Sequence, residues 1–287
     1  SEILITELNK KHELSCYTIT QVCQDIKTIC RIFNYSKINF YAFSYGTMVA
    51  QHYIELFPES VNKNVFLCAR SINENNFDYN DTLVIQQTFD SLLIHHFGYN
   101  SLKIESFYRF INEEIMQIEG IDESKFFIAV LQNIYSIQST QNLIESIIEA
   151  QNGNTKNLLL YQNELHTHFD KLACIDCISK RYSISKRIEA PIQTNSFFSK
   201  TISYGNKFWN SAPFETATIK YQKNIIRQPT LLIYGENDFV SSADLMEKTL
   251  LPLLQNATMI SIPNAAHEDV MNNTVNNKNE IISFLLE

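Results

Sequence analysis

The sequence predicts an α/β fold, a parallel sheet with crossover helices, interrupted by a long helical insertion. Three observations predict it. Residues 17–71 read helix, strand, sharp turn, helix, strand; residues 72–225 carry mainly helical spacing; and the strand–helix alternation returns from 226 onward. The expected organisation is therefore a first core part over 1–71, a helical cap over 72–225, and a second core part over 226–287.

Each element has its own signal. In 17–33, Val22, Ile26, Ile29 and Phe33 recur at helical spacing behind Thr18 or Thr20 as caps. KINFYAF at 37–43 is a short apolar and aromatic run, the pattern of a buried strand. Helical spacing resumes through Val49, Tyr53 and Leu56 until Pro58 ends it, and NVFLCA at 64–69 is the next strand. The insertion carries helical patterns over 82–97, 104–117, 124–136 and 140–151, with Asp81 and Thr140 as N-caps and Gly153 closing the last helix. Residues 182–215 show little period and hold the single tryptophan, Trp209. Beyond 229 come a strand, PTLLIYG, a helix at 243–254, a strand at 258–263 and a closing helix at 277–286.

Composition narrows the function classes. A chain of 287 residues with 45% hydrophobic content can bury a sizeable core. The net charge of −8, with no Lys/Arg cluster, argues against a nucleic-acid surface. No apolar run approaches membrane length, and no basic-then-apolar leader pattern opens the sequence, which starts with Ser rather than Met. Compartment is left open. The six cysteines do not form a dense disulfide framework: Cys23 and Cys30, one heptad apart, read as small core residues, and Cys174-Ile-Asp-Cys177 is a lone CxxC without a second pair. His95-His96 and His166-x-His168 lack a third ligand at metal spacing, so neither metal nor cofactor is expected.

Chemistry concentrates at the ends of the core strands. Ala42-Phe43-Ser44-Tyr45-Gly46 sits where a strand meets a helix, the setting of a nucleophile elbow. The turn must be so tight that Ala42 and Gly46, flanking Ser44, have to be small, and the helix that follows makes Tyr45 N–H an oxyanion donor. Asp238 lies just past the strand at 229–235, and His267 lies just past the next strand. The chain order Ser, acid, His is the order this elbow requires, and parallel strands bring all three to one sheet edge. His267 is then the general base for Ser44, and Asp238 holds its tautomer. Glu236, Asp244 and Asp269 compete as the acid, with strand-end position favouring Asp238; His52, on the elbow helix, reads as a packed or solvated helical residue.

The segment YTITQVCQDIKTICRIFNYSKINFYAFSYGTMVAQHYIELFPESV resembles the helix–strand–elbow region of the tripeptidyl aminopeptidase and proline iminopeptidase group of α/β-hydrolases. RQPTLLIYGENDFV and MISIPNAAHEDV are similar to that group's acid and histidine segments, and together these cover about a third of the chain. The resemblance implies an α/β-hydrolase sheet, in part, with a helical cap, and removal of residues or short peptides from free N-termini. In the cap, Glu113, Glu114 and Glu145 are equally eligible to hold the substrate amine. Ala42 and Ala266 stand where the group has Gly, and CARSINEN lacks its Asp-Gly. The group also has about four strands and a Gly-rich oxyanion loop before the elbow helix, whereas the first glycine here is Gly46. The expectation is that this material is missing, lies on a separate chain, or has been lost, leaving the strand at 37–43 to pair with such a segment or partner. A peptide, ester or amide substrate is expected, with an esterase or lipase, or an inert binding protein, as alternatives on the same fold.

Overall fold

The computed structural model describes residues 18–72, 79–164, 196–210, 225–274 and 277–286. They fall into two compact units. The first opens with helix α1 (Ile19–Ile32), whose N-terminus is capped by the Thr18 side chain accepting from Gln21 N–H at 3.1 Å. Strand β1 (Ile38–Phe43), helix α2 (Tyr45–Leu56) and strand β2 (Val61–Leu67) follow. After the second unit come β3 (Thr230–Gly235), a short helix (Ala243–Thr249) and β4 (Ala257–Ile262). Two further helices, His267–Asn273 and Lys278–Leu286, close the unit.

The four strands are all parallel, in the order β1-β2-β3-β4. Alternation along each strand feeds two cores. Phe40, Ala42 and Phe66 turn toward Ile19 and Cys23 of α1 and Met48, Val49 and Tyr53 of α2. Val65, Leu67 and Ile233 turn the other way, toward Val270 and Ile281 of the two closing helices. A sheet covered on both faces explains why β3 and the second half of β2, Val65–Leu67, read as apolar runs without alternation. Cys23 and Cys30 are buried free thiols, as their heptad spacing suggests; Cys16, Cys174 and Cys177 lie outside the described residues.

The register decides what stands at the C-terminal edge. Phe43 pairs with Leu67, and Leu67 with Ile233, so the residues that follow β1 and β2 emerge side by side. Ser44 N–H donates to Leu67 C=O at 2.9 Å and Cys68 N–H to Ile233 C=O at 2.8 Å, carrying the ladder one step past the strands. β2 ends at Leu67 rather than running to Ala69, because Cys68 has φ +50° and leaves the extended conformation. Among the described residues four non-glycines have positive φ, and Ser44, Cys68 and Asn264 follow strands on this one edge.

The second unit is helical: α3 (Tyr79–His95), α4 (Ser101–Arg109), α5 (Glu123–Asn133), α6 (Ile137–Gln151), α7 (Lys156–Glu164) and α8 (Phe197–Asn210). Its centre is aromatic, with Phe89, Phe107, Phe126, Phe127 and Phe197 all buried. Several sequence expectations are corrected. Ser136 caps α6, accepting from Ser139 N–H, while Thr140 sits inside the first turn with its hydroxyl on Ser136 C=O. Asp81 falls inside α3 rather than before it. The run from 104 breaks at Arg109 into a π-turn over Phe110–Glu114. Within 182–215, where no period is apparent, 197–210 is a helix, whose aromatic face packs against two neighbours. Gly153 does close α6, at φ +93°.

Phe66 is fully buried at the centre of the sheet. Phe66→Ala is expected to cost about 3–5 kcal/mol, read as a lowered urea midpoint of the sheet-bearing unit.

Candidate active site

The elbow follows from local chain geometry. β1 delivers the backbone to Ser44 at φ 51°, ψ −119°, and α2 starts at the next residue, so the hydroxyl stands at the apex of the bend. A non-glycine held in this region stores on the order of 1–3 kcal/mol, which the flanking ladder and helix hold in place. Ala42 and Gly46 face each other across the bend: a Cβ on Gly46 would meet Ala42 Cβ at 3.8 Å, an ordinary contact. One further methyl at position 46 therefore fits. Tyr45 opens α2, placing its N–H at the positive end of the helix dipole.

The acid and the histidine arrive from the next strands. Asp238 is fully buried three residues past β3, where its Oδ1 accepts Val240 N–H at 2.8 Å and Ser241 N–H at 3.0 Å. His267 is the first residue of a helix absent from the sequence expectations, and is 3% exposed. Its Nδ1 lies 3.0 and 2.9 Å from the two Asp238 oxygens, and its Nε2 lies 2.8 Å from Ser44 Oγ. An ionised carboxylate only accepts, so Nδ1 carries the proton and Nε2 is left as acceptor for the Ser44 hydroxyl. The Phe43 ring packs against the imidazole, with centroids 5.1 Å apart. Burial pushes the Asp238 carboxyl up, but the charge and hydrogen bond of His267, and then the Ser241 N–H, outweigh it and hold the group below the usual range.

Ser44, Asp238 and His267 are thus brought together, and the competing acids are not. Glu236 is exposed, Asp244 pairs with Lys248 at 2.6 Å, and Asp269 accepts Ala266 N–H at 3.0 Å, fixing the turn before His267. His52 is packed, bonded to Thr20 Oγ1 and Glu55. Glu113, Glu114 and Glu145 are exposed residues of the second unit, Glu114 lying beside Arg109. His95 and His96 are exposed; His166 and His168 lie outside the described residues. Cys68, Asp238 and His267 place potential ligand atoms within 4.8 Å of one another. These atoms are spent on one another: His267 Nδ1 faces the Asp238 carboxylate, and the Cys68 thiol donates to His267 C=O at 3.4 Å.

Sequence reading takes Gly235 only as the end of its strand and gives it no role in the site. A Cβ there would lie 2.2 Å from Ala265 C=O, and that same carbonyl accepts Asn237 N–H at 2.9 Å. The loops carrying the acid and the histidine touch through this glycine. A strand-ending Gly just before the acid is the signal that could have found it.

The profile of the family described as "alpha/beta hydrolase fold" matches residues 8–95, under a third of the chain, and spans the elbow. The fold is that of the α/β hydrolases. No curated protein matches the sequence. Solved structures similar to the chain include an α/β hydrolase enzyme, MGS-M2, from a Medee basin deep-sea metagenome library, at 17% identity and TM-score 0.43, covering 94% of this chain and 73% of that one. An epoxide hydrolase from Bacillus megaterium stands at 12% and 0.41, with 96% and 78% covered. A thermophilic esterase from Thermogutta terrifontis stands at 14% and 0.41, with 93% and 72% covered. Likenesses this distant carry no argument about chemistry.

Two outcomes follow. Gly235→Ala must displace Ala265 and with it His267; the melting temperature is expected to fall, and the downfield proton NMR resonance of the Asp238-bonded His267 Nδ1–H to shift or broaden. Because the folded Asp238 carboxyl lies below its unfolded value of about 3.9, its stabilisation is present above that pH and is lost as pH falls through the folded value. Asp238→Asn should therefore lower the melting temperature at neutral pH and flatten the acid side of the stability profile below about pH 4.

Proposed function

We propose that this chain is a serine hydrolase that works through an acyl-enzyme. The observation that carries the reading is the hydrogen-bonded series from Ser44 Oγ through His267 to buried Asp238. His267 Nε2 takes the Ser44 proton as Oγ attacks a carbonyl carbon; Asp238 keeps the proton on Nδ1 and stabilises the imidazolium. Tyr45 N–H, at the start of α2, donates to the developing oxyanion. His267 then protonates the leaving group, and water attacks the acyl-serine with His267 again as base. Nucleophile, base and orienting acid are thereby assigned to Ser44, His267 and Asp238.

Within this class the proposed activity is that of an exopeptidase releasing residues or short peptides from free N-termini. Its support is the likeness of the three sequence segments around Ser44, Asp238 and His267, which the comparisons extend only as far as the fold.

A fluorophosphonate probe is expected to label the protein stoichiometrically at Ser44, located by peptide mass mapping, and Ser44→Ala should abolish labelling. A folded sample that resists the probe would overturn the serine-hydrolase reading. Asp238→Asn should keep the serine but lower kcat by about 10⁴, the cost of a wrong imidazole tautomer. Peptide amides with free and blocked N-termini then test the finer reading: equal cleavage of both, or cleavage of aryl esters alone, excludes the exopeptidase.

A further inference from the structure

Helix α1 carries two apolar rows and buries only one of them. Ile19 and Cys23 pack with Phe40 and Ala42 of β1 and with Met48, Val49 and Tyr53 of α2, and Cys30 on the same row is buried. One flank of that row is fastened toward α2: Thr20 Oγ1 lies 2.9 Å from His52 Nε2, and Lys27 Nζ donates to Ser60 just beyond α2. The opposite flank holds Val22, Ile29 and Phe33 at helical spacing, and these are 38%, 53% and 63% exposed. On this face α2 crosses between β1 and β2, and the short helix Ala243–Thr249 packs farther along through Met246. α1 therefore lies on the β1 side of α2, and its exposed flank looks past the outer edge of β1.

That edge is open. Among the described residues β1 stands at the end of the order β1-β2-β3-β4 and pairs only with β2. Ser44 N–H points to Leu67 of β2, so by the two-residue period of a strand Tyr41 and Phe43 direct their N–H and C=O groups outward. Ile38–Phe43 carries neither charge nor proline, the features that normally protect a free edge. On the face away from α1, Tyr41 is half-exposed, with its hydroxyl on Thr274 Oγ1 at 3.3 Å.

We propose that the outer edge of β1 docks an extended, uncharged segment of another polypeptide, seated as an added strand beneath the exposed flank of α1. Backbone groups of the segment pair with those of Tyr41 and Phe43, and its alternate side chains, being apolar, cover Val22, Ile29 and Phe33. A second copy of this chain suits the edge less. Its β1, brought antiparallel alongside by a two-fold axis, would carry its own α1 onto the same face, into the space that the first α1 overhangs. The exposed area of Val22, Ile29, Phe33 and Tyr41 is on the order of 400 Å², half of the roughly 800 Å² per partner in a stable dimer and the scale of one strand. Docking of this kind requires nothing of the chemistry at Ser44.

The test uses the full chain and, as probe, a short fluorescein-labelled peptide of alternating valine and threonine with a lysine at each end. Saturable binding by fluorescence anisotropy is expected. Hydrogen exchange should show the amides of Tyr41 and Phe43 exchanging freely in the unbound chain and protected with peptide, while those of β4, the other edge of the sheet, stay unchanged. Ile29→Lys and Phe33→Lys, at exposed positions outside the core, should each raise the Kd about tenfold or more. Tyr41→Pro removes an outward N–H but spares the ladder to β2, and should do the same. No saturable binding to the folded chain, equal protection of β4, or binding untouched by Ile29→Lys would overturn the proposal. So would a dimer in sedimentation that Ile29→Lys dissociates, since a second copy would then hold the edge. Tyr41 and Phe43 amides protected in the monomer before peptide is added would also overturn it, because the chain would then fill the edge itself.

Discussion

The bond from His267 to the fully buried Asp238 is the interaction on which the edge of the sheet is organised. A carboxylate taken out of water costs several kcal/mol unless its oxygens are matched by donors, and here two backbone N–H groups and the imidazole supply them. The match needs three separate strand ends at one place. β2 brings the turn at Cys68, β3 brings Asp238 and its loop, and β4 leads through Ala265 to His267. Parallel strands in register are what make that convergence possible, since every C-terminus then lies on the same edge.

Strain is distributed along that edge rather than confined to the serine. Ser44, Cys68 and Asn264 each hold a left-handed backbone where a glycine would be easier, and Gly235 admits the carbonyl of Ala265 where any side chain would collide. The first three turn the chain within one or two residues of a strand end, and Gly235 is itself the last residue of β3. Wider turns would carry the side chains out of hydrogen-bonding reach. The arrangement exchanges local backbone cost for short, buried polar contacts, the exchange expected where a nucleophile and its base must be held in advance of any substrate.

Fold and site differed in how far they could be read from residues. The alternating strand and helix grammar on either side of a helical stretch was legible because buried strands and amphipathic helices leave different periods. Ser44, Asp238 and His267 were legible because each follows an apolar strand in the right chain order. The N-cap of α6 and the helix at 197–210 were not: capping depends on which neighbouring hydroxyl reaches the backbone, and aromatic packing overrides a weak period. The helix that begins at His267 also escaped, since its seven residues are too few for periodicity to register.

By itself the sequence determined the class of fold, the elbow with Ser44, and His267, and favoured Asp238 among several acids, because these depend on order and on local pattern. The tertiary structure alone decided which carboxylate meets His267, that Glu236, Asp244 and Asp269 do other things, and that Gly235, Cys68 and Ser241 stand around the acid. Those are matters of register between strands far apart in the chain. A shift of one residue in any strand would send the same side chains to the opposite face of the sheet, and nothing local in the sequence records that choice.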